Sequence, residues 1–87
     1  MSVKISGAQI RAARAYLDVT AAKFADLAGI GASTLQTLES VDDIPEPWLA
    51  ARAESIGKIV AAFRKAGVTF LDDDGRNGPG LRVKRRT

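Results

Sequence analysis

The sequence predicts a small, mainly α-helical domain that ends in a β-hairpin. Apolar residues recur at three- and four-residue steps from Ile10 to Phe63, the period of helices with one buried face. After Gly67 the chain turns β-branched and aromatic, then rich in glycine and aspartate, which is strand and turn chemistry. Its 87 residues suit one domain. Residues 1–67 read as the helical part and residues 68–87 as a hairpin and basic tail within the same compact unit.

Each element has its own signal. Ser6 with Gln9 three residues on has the form of a capping box, opening a helix whose stripe is Ile10, Ala13 and Leu17. Asp18 and Val19 break it. Thr20 is the expected cap of a second helix running to about Ala28. Gly29 fits a left-handed C-terminal position, and Gly31 opens a third helix that ends near Glu39 and Ser40. Residues 41–47, with three acids and two prolines, form a loop. Leu49, Ala53, Ile56, Val60 and Phe63 predict one continuous helix from Trp48 to about Ala66, with Gly57 a place for a break or a tight contact. Val68–Leu71 and Leu81–Lys84 then read as two strands around a long turn. A lone hairpin is marginal in water, so this one must pack on the helices or pair with another chain.

Composition narrows the function. The chain has no cysteine and no histidine, so thiolate sites, disulfides, the commonest metal ligand and the commonest general base are absent. No catalytic constellation stands out, and no enzyme activity, metal or cofactor is expected. No apolar run approaches the roughly 20 residues of a membrane span, and the N-terminus lacks a secretory core, so a cytoplasmic protein without membrane contact is expected. Of 13 basic residues, five lie from Arg76 onward with no acid among them, leaving eight basic against ten acidic residues before that point. The acidic middle includes Glu39, Asp42, Asp43, Glu46 and Glu54. Asp72, Asp73 and Asp74 lack the spacing of a calcium loop and read as a turn. A phosphate-facing surface should therefore draw on the N-terminal half and the tail.

Residues 20–39 are the most telling. Two short helices joined by Gly29-Ile30-Gly31, with small Ala25 and Gly29 where they would cross, predict a helix-turn-helix whose second helix enters the DNA major groove. Ile10, Arg11, Ala13, Arg14 and Leu17, followed by Phe24, Ala25, Leu27, Ala28 and Gly29 and then Thr34, Leu35, Leu38 and Glu39, form an ordered set that resembles the lambda-repressor-like family of bacterial and phage regulators, also called Cro-type or xenobiotic-response-element regulators. The likeness covers about residues 6–66. It implies a four- to five-helix DNA-binding domain, here with the C-terminal hairpin, acting as a homodimeric transcriptional repressor on a near-palindromic double-stranded operator.

The resemblance also implies roles. Ala32, Ser33, Gln36 and Thr37 match the positions that reach base edges. Gln36 suits adenine and the Ala32 methyl suits thymine, while the lack of Arg or Lys in this helix departs from many relatives and disfavours guanine reading. Thr20, Ala21, Lys23 and Thr34 are the expected phosphate contacts. Arg14 and Glu39 are expected to form a structural ion pair. Arg11 reads as a solvated surface charge that can also reach phosphate. Lys84, Arg85 and Arg86 are a flexible end or a phosphate or minor-groove arm. Trp48 reads as core cover beside the acidic loop or as an interface anchor. The hairpin is the first choice for the dimer contact and for any protein partner, with the face of the long helix second. Two rivals stay open: an antitoxin that autoregulates its operator while holding a toxin, and the same fold kept for protein interaction alone.

Overall fold

The computed structural model describes residues 5–84, which form five helices and one two-stranded sheet: α1 Gly7–Leu17, α2 Ala21–Ala28, α3 Ala32–Glu39, α4 Glu46–Ala51, α5 Ala53–Lys65, β1 Val68–Leu71 and β2 Gly80–Val83. The capping box at α1 is complete: the Gln9 amide donates to Ser6 Oγ at 3.1 Å and the Ser6 amide donates to Gln9 Oε1 at 2.8 Å. Asp18 ends α1 in the left-handed region at φ 55°, a conformation that a short polar side chain tolerates. Thr20 caps α2 by accepting from the Lys23 amide. Gly29, at φ 75°, turns the chain after α2, and the amides of Gly29 and Ile30 return to the carbonyls of Asp26 and Ala25. The turn into α3 is thus only Gly29, Ile30 and Gly31 long.

The expected single helix from Trp48 to Ala66 is two helices. Arg52 is the joint, at φ −117° and ψ 27°, outside helical geometry. The break is cheap because hydrogen bonds continue on both sides: the Arg52 amide donates to the Trp48 carbonyl and the Ile56 amide to the Arg52 carbonyl, each at 2.9 Å. The Arg52 guanidinium lies over the Trp48 ring, 5.5 Å from its centre, and Trp48 is half-buried. Gly57 is not the break; it sits exposed inside α5 with open space around it. The bend also re-aims the stripe. Ala53 is exposed, Val60 is only half-buried, and Ile59 joins Ile56 and Phe63 in the core.

Helices and hairpin share one core. Ile10, Leu35, Leu38, Ile59, Phe63 and Val68 are completely buried. Phe24 of α2 stacks on Phe63 of α5 with ring centres 4.0 Å apart, and Phe70 of β1 meets Phe63 edge-on at 5.5 Å. The strands pair antiparallel with Val68 opposite Val83 and Phe70 opposite Leu81, so β2 starts one residue earlier than the alternation of Leu81–Lys84 suggested. Between the strands the acids are occupied in turns: Asp73 accepts from the Gly75 amide, and Asp74 accepts from the amides of Arg76 and Asn77.

Candidate functional site

The outer side of α3 is an uncharged ridge. Leu35 and Leu38 point into the core, which leaves Ala32, Ser33 and Gln36 exposed and Thr34 and Thr37 half-buried. Thr37 Oγ1 donates to the Ser33 carbonyl at 2.8 Å. Its hydroxyl hydrogen is therefore in use, which narrows the donor and acceptor role expected of it: toward an incoming group Thr37 offers a methyl and an acceptor lone pair. The ridge presents one amide, one unengaged hydroxyl and two methyls. These side chains can donate, accept and make apolar contact, and none of them carries a charge.

The opposite end of α3 is fastened to α1 by two arginines. Arg14 grips the Glu39 carboxylate with Nε to Oε2 at 3.1 Å and an amino nitrogen to Oε1 at 2.8 Å, and gives its remaining arm to the Val19 carbonyl at 3.0 Å. Glu39 is buried and Arg14 half-buried. The hydrogen bonds it donates to the Glu39 carboxylate hold the Arg14 guanidinium above its ordinary pKa, against the opposing effect of burial. Arg11, one turn earlier on α1, keeps a solvent-exposed side chain but is not without partners. It donates to the main-chain carbonyls of Glu39 and Val41 and to the Asp42 carboxylate. A cation on the carbonyls that end a helix is favourably placed against the helix dipole.

Gly7 completes this junction. The first turn of α1 approaches the end of α3 so closely that a Cβ on Gly7 would lie 2.5 Å from the Leu38 carbonyl oxygen and 1.8 Å from that of Val41. The Ala8 amide donates to the Asp42 carbonyl at 3.4 Å. Nothing in the sequence signals that Gly7 and Asp42 meet at this junction; Asp42 reads there only as part of an acidic stretch. Sequence reasoning also saw only half of Gln9, whose Nε2 donates to the carbonyls of Leu71 at 3.0 Å and Gly80 at 2.9 Å, fastening the turn end of the hairpin to α1. The available signal was the residue type: a capping box accepts Glu or Gln, but only Gln brings donors.

The remaining candidates lie at the start of α2 and in the tail. Thr20 and Lys23 are exposed and Ala21 is half-buried, so the first turn of α2 is open to solvent, at the end of α2 away from the turn that leads into α3. Lys84 is exposed and its amide donates to the Gly67 carbonyl at 2.7 Å, at the end of the hairpin away from Gln9. Arg85 and Arg86 lie outside the described residues. No known protein family matches the chain, and no curated protein matches it.

Proposed function

We propose that this chain is a sequence-specific double-stranded DNA-binding transcription regulator of the lambda-repressor-like, helix-turn-helix kind, working as a homodimeric repressor. The observation that supports this best is the combination found in α3: an exposed, uncharged ridge of Ala32, Ser33 and Gln36 on a helix whose other side and far end are locked by Leu35, Leu38 and the Arg14–Glu39 pair. A reading helix must be both presented and rigid, because base edges are distinguished by hydrogen-bond geometry. α3 enters the major groove, and the first turn of α2, with Thr20, Ala21 and Lys23, meets the phosphates. Thr34 lies beside the backbone at the other rim. Repression follows from occupancy of a promoter. The hairpin supports contact between copies, since Leu71 and Val83 leave apolar surface exposed there.

Selection from a random duplex pool, followed by binding across a salt series, tests the reading. The expected outcome is enrichment of a near-palindromic site. Gln36→Ala should change which sequence is preferred. Lys23→Ala should weaken all duplexes alike and reduce the salt slope by about 0.9 for one lost phosphate contact. A pool that shows no enrichment at any salt concentration overturns the assignment.

A further inference from the structure

We infer that Arg11 is a positioning residue for sequence readout, acting through the end of α3 and not on the duplex itself; this rests on the DNA-binding reading above. Three partners absorb its guanidinium: the Glu39 carbonyl, the Val41 carbonyl and the Asp42 carboxylate. These bonds use one terminal nitrogen twice and the other once, and the Asp42 carboxylate beside the guanidinium offsets its attraction for a phosphate. What it does hold is the exit of α3. Glu39 is gripped twice from α1, by Arg14 at its carboxylate and by Arg11 at its main chain. The two grips are chemically independent. The Arg14 pair fixes a side chain, whereas the Arg11 contacts fix the main chain where α3 passes into residues 41 and 42. With Gly7 letting α1 approach to backbone contact, the junction leaves α3 little freedom to rotate about its axis or slide along it.

Rotation matters because Ser33 and Gln36 reach their targets from that axis. Loosening the exit spreads the ridge over several poses, and a two-pronged amide contact to a base survives only in a narrow range of them. Phosphate attraction tolerates the same spread, since it is long-ranged and undirected. Loss of Arg11 should therefore reduce discrimination more than affinity for DNA in general.

The experiment compares wild type, Arg11→Ala and Arg11→Lys on the selected site and on a scrambled duplex across a salt series, with amide hydrogen exchange over residues 36–42 of the free protein. For Arg11→Ala we expect the ratio of specific to non-specific affinity to fall about tenfold, the worth of one well-made base contact. The salt slope should stay unchanged while exchange at the end of α3 rises. Arg11→Lys keeps the charge but loses the fork, so it should recover only part of the ratio. Because the ratio is taken within the folded protein, a mere loss of stability does not move it. A salt slope reduced by about 0.9 with the ratio intact would make Arg11 a phosphate contact and sink the inference alone. So would an unchanged ratio with unchanged exchange. A wild type that prefers no sequence removes the functional reading first, and this inference with it.

Discussion

A single amide can decide how the two ends of this chain meet. Gln9 is buried and uses both ends of its side chain, accepting from the Ser6 amide and donating to the Leu71 and Gly80 carbonyls. Gln9→Glu preserves the cap but aims an acceptor at two carbonyl oxygens. It should cost about 2 kcal/mol at neutral pH by chemical denaturation, the scale of a buried unsatisfied group. The sign with pH is fixed: the new carboxyl is held protonated to higher pH in the folded state, so the loss shrinks as pH falls and the acid regains a donor. Arg14→Ala should strand the buried Glu39 carboxylate and lower stability by roughly 3 kcal/mol, visible as a drop in thermal midpoint. A midpoint that stays put, with DNA affinity alone lost, would make Arg14 a surface contact instead. The cap was legible in the sequence because its partners are three residues apart. The hairpin anchor was not, because its acceptors are main-chain carbonyls 62 and 71 positions away and carry no side-chain signature.

The helices before residue 40 were readable from caps and spacing, because Ser6, Thr20 and Gly29 act through local geometry. The break at Arg52 was not. A bend that keeps apolar faces turned inward on both sides preserves the three-and-four rhythm, so periodicity reports one helix where there are two. Two glycines now separate by environment. Gly7→Ala drives a methyl into the Leu38 and Val41 carbonyls and should destabilise by about 3 kcal/mol, at the upper end for overpacking. Gly57→Ala, in open space within α5, should stabilise by about 0.5–1 kcal/mol. Equal effects in a denaturant series would contradict this account of the α1–α3 junction. In the hairpin loop the amides of Asn77 and Arg76 hold the Asp74 carboxyl below the ordinary aspartate value of 3.8. Its turn should persist as pH falls through that value and open only below it. The Asn77 and Arg76 amide resonances should titrate together and report that midpoint.

At the level of the molecule, the hairpin is part of the core and not an appendage. Val68 is completely buried, and Phe70 packs on Phe63, which itself stacks on Phe24. Deleting residues 68–87 would strip the Phe63 ring of its cover and remove both acceptors of Gln9, so loss of dimer after that deletion would say little about the interface. A surface change asks the question cleanly. In the proposed homodimer, Val83→Glu, at a residue 39% exposed, should yield monomers by light scattering while the thermal midpoint extrapolated to low protein concentration stays close to wild type. Dimers that survive the change would move the contact away from the hairpin. The general shape, helices first and hairpin last, could be read from the sequence because hydrophobic rhythm and turn residues are local. The role proposed for α3 rests on resemblance and on its tight turn, since an exposed stretch of small polar residues has no physical signature of its own.

The joint between α4 and α5 has an optical consequence. The chain has a single tryptophan, at position 48, and the arginine at the joint sits over its ring. Light absorbed at the red edge of the ultraviolet band is therefore emitted from that joint alone. A change in emission colour on adding any partner would report a changed environment at that joint. The molecule carries its own lamp, with no dye to attach.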